Sequence, residues 1–238
     1  MTLQNKRVVV IGGTSGIGLA VSKAFVEAGS HVFVASRSTD KVEMAKSIIG
    51  SDVEGYVVDF REEAALEEFF QSVGPFHHLV VTAGDGVMGP FHSLPVTAAR
   101  TAFDSKFWGQ YVTARAALPF IDASGSITLT SGVYGTRPPK GAATLAAINS
   151  AVEGLTRGLA CDLAPIRVNV VSPGLVDTPI YSGMDDEARQ GMFKAVASQL
   201  LVQHIAKPEE IAQAYVYLAS NTFTTGTTLS IEGGALLS

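Results

Sequence analysis

Short runs of β-branched residues alternate along this chain with longer segments of helical periodicity. This order of elements is typical of βαβ units, in which crossover helices join parallel strands. The pattern predicts seven strands, at residues 7–12, 31–36, 53–58, 77–83, 125–131, 166–172 and 227–234. It also predicts helices near residues 16–28, 39–49, 61–73, 97–118, 142–163, 184–200 and 208–219.

These elements are sufficient for an α/β fold with one doubly wound, seven-stranded parallel sheet and helices on both of its faces. The chain has 238 residues, of which 47% are hydrophobic and 16% are charged. A chain of this size buries about 70–75% of the surface that it exposes when unfolded. Because no linker-like or low-complexity segment interrupts the alternation, residues 1–238 are predicted to form a single domain.

The charge and the cysteine content limit the classes of partner. The net charge is −5 and the sequence has no run of Lys and Arg, so we expect no nucleic-acid partner. Cys161 is the only cysteine, which excludes an internal disulfide and favours a reducing compartment. No metal site is expected either, because no metal-ligand spacing links Cys161 or a carboxylate pair to His77, His78, His92 or His204.

The first residues, MTLQNKRVVVIGG, run directly into a predicted strand. They leave no space for the apolar core and cleavage site of a signal peptide. No uncharged apolar stretch reaches the roughly 20 residues that span a bilayer. We therefore expect a cytoplasmic protein without a membrane partner.

A glycine-rich turn follows the first predicted strand, within the segment VVVIGGTSGIGLAVSKAFVEAG at residues 8–29. Gly12, Gly16 and Gly18 would let the backbone turn sharply and approach a pyrophosphate, with helix N–H groups directed at the phosphates. Their G-x-x-x-G-x-G spacing is looser than the G-x-G-x-x-G fingerprint. Taken alone, this turn therefore also fits an ordinary strand-to-helix connection.

Six motifs in order along the chain resemble those of the short-chain dehydrogenases/reductases. The glycine turn resembles the family's T-G-x-x-x-G-I-G, with Ile11 in place of the threonine. The other five are VVDF, LVVTAG, IRVNVVSPGLVDTP, KPEEIAQAYVYLAS and TTGTTLSIEGG. The resemblance covers essentially the whole chain. It implies a Rossmann fold, a nicotinamide dinucleotide coenzyme and an oxidoreductase activity.

The resemblance also assigns coenzyme-binding roles to individual residues. Asp59 would hydrogen-bond the adenine, and Thr178 would hold the nicotinamide carboxamide. The residues expected to bind the coenzyme are Gly12, Thr14, Ser15, Gly16, Ile17, Gly18, Ser36, Arg37, Ser38, Asp59, Phe60, Ala83, Gly84, Asn149, Pro173, Gly174, Val176 and Thr178.

The end of the second predicted strand, ASRST, bears on which dinucleotide is bound. Members of the family that use NAD place a carboxylate there for the ribose 2′-hydroxyl. Here Ser36 is followed by Arg37, whose guanidinium suits a 2′-phosphate, and Ser38 adds a hydroxyl. The sequence therefore favours NADP(H) over NAD(H), although Arg37 is also compatible with an ordinary solvated loop cation.

The segment GAATLAAINSAVEGLTRGLA, residues 141–160, lies where the family carries its catalytic tyrosine and, four residues later, its lysine. The family's serine lies about thirteen residues before the tyrosine. Counting from the serine of this chain gives one register, with Ser131, Thr144 and Ile148. Aligning AVEGLTRGLA and the loop GVYG gives the preferred register, with Gly132, Leu145 and Asn149. Neither register provides the acid or the cation.

Other residues are candidates for the missing groups. Lys106 lies where the family has a relay asparagine, and Tyr134 follows the fifth predicted strand. We hypothesise that Tyr134 donates the proton, that Lys106 supplies the positive charge, and that Ser131 or Thr130 orients the substrate. Alternatively, Tyr134 packs at the rim of the site and Lys106 is solvated. A conjugated alkene would need less help from an acid, and Asn149 would then hold the ribose or an oxyanion.

The segment near residues 180–200 corresponds to the substrate lid of the family. Its apolar and aromatic residues favour an apolar or aromatic small molecule as substrate: Tyr181, Met184, Met192 and Phe193. Relatives pair helices equivalent to those near residues 97–118 and 142–163, so a homodimer or homotetramer is expected.

Two functions remain open at this point. The first is an NADP(H)-dependent oxidoreductase that acts on a small carbonyl, alcohol or activated alkene through a non-standard active site. The second is a catalytically inactive dinucleotide-binding protein that serves as a sensor or partner subunit. Pro173, Gly174 and Thr178 face the reactive ring in the family, and their presence favours the first function.

Overall fold

Seven parallel strands form one sheet in the computed structural model, which describes residues 3–238. The strands are β1 (Arg7–Ile11), β2 (His31–Ser36), β3 (Val53–Val57), β4 (Phe76–Val81), β5 (Ile121–Thr130), β6 (Arg167–Pro173) and β7 (Thr228–Ile231). Their order in the sheet is β3-β2-β1-β4-β5-β6-β7. The predicted doubly wound, seven-stranded Rossmann fold is therefore confirmed.

Eight α-helices connect or follow these strands in the described part of the chain. They are α1 (Gly16–Glu27), α2 (Thr39–Ile49), α3 (Glu63–Val73), α4 (Val96–Phe103), α5 (Gly109–Ala117), α6 (Ala143–Asp162), α7 (Asp186–Ala197) and α8 (Pro208–Ser220). A π-helical turn, Asp104–Trp108, joins α4 to α5. Two short 3₁₀ turns occupy Val133–Gly135 and Pro179–Tyr181.

Both faces of the sheet carry an apolar layer. On one face, Phe70 of α3, Ala117 of α5 and Val152 of α6 are fully buried against the sheet. On the other face, Phe25 of α1 and Tyr215 of α8 are fully buried. Fully burying one large apolar side chain contributes about 1.5–3 kcal/mol. These layers fix the sheet, and with it the loops at the carboxyl ends of the strands.

Two boundaries differ from the sequence prediction. The helix predicted near residues 97–118 is divided by the π-helical turn. Strand β5 begins at Ile121 rather than at residue 125, and its pairing with β4 shifts register between Phe76 and His78. The polar sequence DASG at the start of β5 hides this strand from an apolar pattern.

Strands β1 and β4 are neighbours in the sheet, and the connections that leave them run in opposite directions along it. In open α/β sheets, the crevice at such a switch point, beyond the carboxyl ends of the strands, is where ligands bind. Within residues 3–238, no helix is long and apolar enough to cross a membrane. In that same range, no group of three or more His, Cys, Asp or Glu side chains is arranged to hold a metal ion.

Candidate active site

A crevice of about 510 Å³ opens at the carboxyl edge of the sheet, above the ends of β1, β2, β4, β5 and β6. Most of the residues that the sequence predicted for coenzyme binding line it. They are Gly12, Thr14, Ser15, Gly16, Ile17, Gly18, Ser36, Arg37, Phe60, Ala83, Gly84, Asn149, Pro173, Gly174, Val176 and Thr178. Ser38 and Asp59 are not among the lining residues.

The glycine turn between β1 and α1 forms one wall. Gly12 has φ +84°, and a β-carbon there would lie 2.7 Å from the backbone nitrogen of Ala83. A β-carbon on Gly18 would overlap the carbonyl oxygen of Gly12. Ser15 caps α1, yet its side chain accepts no hydrogen bond from the helix. The turn therefore packs tightly and leaves helix N–H groups and a hydroxyl at the crevice for an anion.

Two cations stand at the end of β2. Arg37 lines the crevice, and so does Lys41 in the first turn of α2, a residue that the sequence analysis did not single out. Nη2 of Arg37 lies 3.8 Å from Oδ2 of Asp85, and both side chains are exposed. Ser38 is the N-cap of α2, where its Oγ accepts a 3.3 Å hydrogen bond from the backbone N–H of Lys41.

Asp59 does not line the crevice, although its chain neighbours Val58 and Phe60 do. Its Oδ1 accepts a 2.9 Å hydrogen bond from Nε of Arg61, and its Oδ2 lies 2.5 Å from Nη2 of the same guanidinium. These hydrogen bonds hold the pKa of the Asp59 carboxyl below its usual value. The carboxylate is therefore paired with Arg61, and its expected hydrogen bond to the adenine stays a prediction.

Lys106 enters the crevice from the π-helical turn between α4 and α5. Such turns recur at functional sites, where they redirect side chains. The Lys106 stem lies against Gly84, where a β-carbon would be 2.9 Å from Cγ of the lysine. Its Nζ donates a 2.9 Å hydrogen bond to the carbonyl oxygen of Ser131. Desolvation by burial lowers the pKa of Lys106 to about 8.

Asn149 lies on α6, beside Lys106 and one carbonyl further along the β5 loop. Its Nδ2 donates a 3.2 Å hydrogen bond to the carbonyl oxygen of Gly132, next to the carbonyl that binds Lys106. The side chain is only 2% exposed. Its Oδ1 is the one buried side-chain polar atom, among residues 3–238, that has no hydrogen-bond partner. Asn149, which lines the crevice, therefore carries a buried acceptor that the protein does not use.

The hydroxyls at the end of β5 are already engaged. Oγ of Ser131 donates a 3.0 Å hydrogen bond to Oε1 of Glu153 on α6. Oγ1 of Thr130 lies 2.6 Å from the carbonyl oxygen of Val81 and 2.7 Å from the hydroxyl of Tyr215, in the core. Neither proton is free for a substrate in this arrangement. The hypothesis that one of them orients the substrate stays a prediction.

In the preferred register, Leu145 falls at the tyrosine position and Asn149 at the lysine position, so neither position has an acid or a cation. Leu145 lines the crevice and packs against Gly86, where a β-carbon would lie 2.7 Å from Cδ1 of the leucine. A β-carbon on Gly132 would lie 3.0 Å from Nδ2 of Asn149. A serine at position 132 would therefore crowd Asn149, the residue that the preferred register predicts at the family's lysine position.

Aromatic side chains lie at the outer rim of the crevice. Tyr134 and Tyr181 both line the crevice. The ring of Tyr181 meets that of Phe193 on α7 edge to face, at 5.5 Å between centroids. Burial, and to a smaller extent the nearby Tyr134, raise the pKa of the Tyr181 hydroxyl. This rim gives the open end of the crevice an aromatic surface.

Comparison with known proteins decides the family. The family model described as Enoyl-(Acyl carrier protein) reductase matches residues 12–235. The chain is 36% identical to the short-chain dehydrogenase/reductase ATR9 of Stachybotrys chlorohalonatus, over 99% of each chain. The protein is a short-chain dehydrogenase/reductase. The family resemblance seen in the sequence is confirmed, and with it an oxidoreductase of small-molecule substrates.

Solved structures of this family superpose closely on this short-chain dehydrogenase/reductase. A small-chain dehydrogenase crystallised in complex with NADPH shares 38% identity with it, at a TM-score of 0.88 over 99% of this chain and 100% of the other. The MalC reductase/Diels-Alderase of Malbranchea aurantiaca shares 31% identity, at a TM-score of 0.93 over 100% and 98% of the two chains.

Proposed function

We propose that this protein is an NADP(H)-dependent oxidoreductase that transfers hydride to or from a small carbonyl, alcohol or activated alkene. In this proposal the active site is non-standard, because other residues replace the family's tyrosine and lysine. One observation carries the proposal: the crevice holds cations in two separate places. Arg37 and Lys41 stand at the end of β2, and Lys106 stands between the ends of β4 and β5.

The cations at β2 support NADP(H) as the coenzyme. Arg37 and Lys41 line the crevice. In this fold an arginine near the ribose accommodates a 2′-phosphate, and these two residues would do so here. A guanidinium and an ammonium make charge-assisted hydrogen bonds to phosphate, roughly twice as strong as neutral ones. Asp85 is close to Arg37, but an exposed ion pair of this kind contributes only about 0–1 kcal/mol. A phosphate would therefore take over the guanidinium at little cost.

The rest of the crevice also fits a nicotinamide dinucleotide. The tight turn at Gly12 and Gly18 would hold the pyrophosphate at the start of α1. The unpartnered Oδ1 of Asn149 would accept a hydrogen bond from a ribose hydroxyl. Bound NADPH would supply the hydride.

Lys106 provides a positive charge in the part of the crevice between the ends of β4 and β5, where we propose that the substrate reacts. Hydride addition to a carbonyl or an enone places negative charge on the substrate oxygen, and a fixed cation in a desolvated site stabilises that charge. In the hypothesis from sequence, Tyr134 donates the proton. Tyr134 does line the crevice, and within residues 3–238 its hydroxyl has no hydrogen-bond partner. Both residues are therefore candidates for handling the proton.

The aromatic rim supports an apolar or aromatic substrate. We propose that the 3₁₀ turn Pro179–Tyr181 and α7 act as a lid over the open end of the crevice. The ring of Tyr181 packs against that of Phe193, so the lid presents an aromatic surface to the substrate. Substrates with a flat apolar body next to the reducible group fit this surface best.

A homodimer or homotetramer is also part of the proposal. Trp108 is 47% exposed and Tyr111 is 36% exposed, and their rings lie 5.4 Å apart on the π-helical turn and α5. Exposed aromatic clusters of this kind are frequent at protein interfaces.

A screen of acceptors tests the function. NADPH consumption is measured with panels of aldehydes, quinones and enones, and NADPH binding is measured on the same sample. The proposal expects binding together with consumption for at least one apolar or aromatic acceptor. Tight binding without consumption for any acceptor would instead indicate a dinucleotide-binding protein without turnover.

A further inference from the structure

The groups around the end of β5 differ in whether they can deliver a proton to a substrate. The hydroxyls of Ser131 and Thr130 are engaged with Glu153 and with the core. Leu145 carries no proton that can be transferred. Of the groups considered for the proton, the Lys106 ammonium and the Tyr134 hydroxyl remain.

Lys106 is held more firmly at the floor of the crevice than Tyr134 is at its rim. The lysine stem is confined by Gly84, and Nζ is anchored on the carbonyl oxygen of Ser131. That carbonyl takes one of the three ammonium hydrogens, and Nζ has no other hydrogen-bond partner in residues 3–238. Two N–H donors are therefore unused in a site where a buried donor gains from having an acceptor.

We propose that Lys106 is the proton donor of the reaction, and not only its fixed positive charge. This inference rests on the proposed function. The hydride would come from the dihydronicotinamide C–H bond of NADPH, which would break as NADPH is oxidised to NADP⁺. A new C–H bond would form at the carbonyl carbon, and the electron pair of the C=O π bond would move to the oxygen to give an alkoxide. The alkoxide takes a proton from the Lys106 ammonium, which becomes a neutral amine as the alcohol forms. The amine then regains a proton from solvent. In the direction of alcohol oxidation, the same amine accepts the hydroxyl proton.

The acidity of Lys106 suits this role. Its pKa of about 8 lies nearer to neutral pH than that of an ordinary lysine or a phenol, and general acids act best when their pKa is close to the working pH. Desolvation is the cause of the shift. Titratable groups near Lys106 include Asp85 after β4, Asp104 on the same turn, Tyr134 and Glu153, and the crevice also contains Arg37, Lys41 and Tyr181. None of these groups forms an ion pair or a hydrogen bond with Nζ.

Substitution with arginine separates proton donation from charge. Lys106→Arg keeps the positive charge, but its guanidinium does not lose a proton in the working pH range. If Lys106 is the donor, kcat/KM falls by about 100-fold or more in Lys106→Arg, because a positioned acid is worth about 10²–10⁴ in rate. Tyr134→Phe, which removes the other candidate donor, loses much less activity than Lys106→Arg. Lys46→Arg, on the outer surface of α2, is the matched control.

The pH profile gives a second, independent readout. In the wild type, kcat/KM for NADPH-dependent reduction is level below about pH 8 and falls tenfold per pH unit above it, because the ammonium loses its proton. This limb is absent in Lys106→Arg. Small primary amines restore part of the activity of Lys106→Ala, with rates that follow the pKa of the amine.

A measurement without coenzyme completes the test. The ¹³C NMR titration of the lysine side chains shows one lysine with a pKa near 8, and this signal is missing in Lys106→Arg, while NADPH affinity remains within about threefold. An Arg variant at Lys106 that keeps wild-type activity, or a Phe variant at Tyr134 that loses as much activity as the Arg variant, overturns the assignment of the donor alone. A wild type that binds NADPH and never consumes it overturns the proposed function as well.

Discussion

Lys106 and Asn149 donate hydrogen bonds to two consecutive carbonyl oxygens, those of Ser131 and Gly132. The two side chains come from different helical segments and meet over the loop that follows β5. Each keeps polar capacity that the protein itself does not use: two N–H donors on Lys106 and the Oδ1 acceptor on Asn149. We propose that the N–H donors of Lys106 bind the substrate oxygen and that the Oδ1 of Asn149 binds a ribose hydroxyl.

Arg37→Ala and Lys41→Ala are expected to weaken NADPH binding by about 10- to 100-fold each, since a hydrogen bond to a charged group contributes about 1.5–3 kcal/mol. NADH binding should change little, because NADH has no 2′-phosphate. Asp85→Asn should instead strengthen NADPH binding slightly, because it removes the carboxylate that lies 3.8 Å from Arg37. Calorimetric titration of each variant with both coenzymes measures these effects. Equal losses for NADPH and NADH would contradict the assignment.

Gly18→Ala should disrupt the turn, since its β-carbon would overlap the carbonyl oxygen of Gly12. Forcing such a contact costs about 1–3 kcal/mol of stability, and coenzyme binding should be lost with the geometry of the turn. The matched control is Gly158→Ala in the C-terminal part of α6, where nothing lies within 4 Å of the new β-carbon. That control should gain up to about 1 kcal/mol. Denaturant unfolding of both variants is the measurement.

Asn149→Ala should lower the affinity for NADPH by about 2- to 10-fold, the effect of one neutral hydrogen bond of about 0.5–1.5 kcal/mol. The substitution should lower the free energy of NADPH binding more than the free energy of unfolding. In the unliganded protein the buried, unpartnered Oδ1 is destabilising, and it offsets part of the stability that the Nδ2 hydrogen bond contributes. Ser150→Ala removes a neighbouring hydroxyl that binds the Gly135 carbonyl oxygen, and it serves as control. An affinity equal to that of the wild type in Asn149→Ala would exclude contact with the coenzyme.

Lys106 should also make the stability of the protein depend on pH. Its pKa is about 8 in the folded protein, against an ordinary value of 10.5. Below pH 8 the lysine is charged in both the folded and the unfolded state, so the cost of burying the ammonium then has its full size. The destabilisation is relieved as pH rises from about 8 to 10.5, by up to about 3 kcal/mol. Lys106→Met should therefore exceed the wild type in free energy of unfolding at pH 7, and the difference should shrink at pH 10. A pH-independent difference would contradict the shifted pKa.

Trp108→Glu should shift the protein from an oligomer to a smaller species, because a charge in the exposed aromatic cluster opposes burial against a second copy. Light scattering coupled to size exclusion reports the mass of the wild type and the variant. Phe223→Glu, a fully exposed aromatic residue after α8, is the comparison at another surface. A wild type that is monomeric at high concentration would remove this prediction.

Much of the fold was predictable because buried parallel strands have continuous apolar sequences. Strands such as RVVVI and FHHLVV have few polar residues, so their positions follow from the pattern alone. The first four residues of β5 were missed because the sequence DASG is polar. The π-helical turn was missed because its residues keep a helical pattern.

The sequence predicted the residues of the glycine turn between β1 and α1 better than the arrangement of side chains around Lys106 and Asn149. Glycines in a strand-to-helix turn leave a local signal, and they do line the crevice. Lys41 was missed because a lysine in the first turn of a helix has the same pattern as a solvated one. The engagement of Ser131 by Glu153 and the unpartnered Oδ1 of Asn149 depend on how α6 sits against β5. No spacing in the sequence indicates either feature.

Calorimetric titration of the wild-type protein with NADPH and with NADH tests the central claim most directly. We expect NADPH to bind at least about tenfold more tightly than NADH, because Arg37 and Lys41 would contact a phosphate that only NADPH carries. Absence of heat for both coenzymes, or equal affinity for the two, would contradict it.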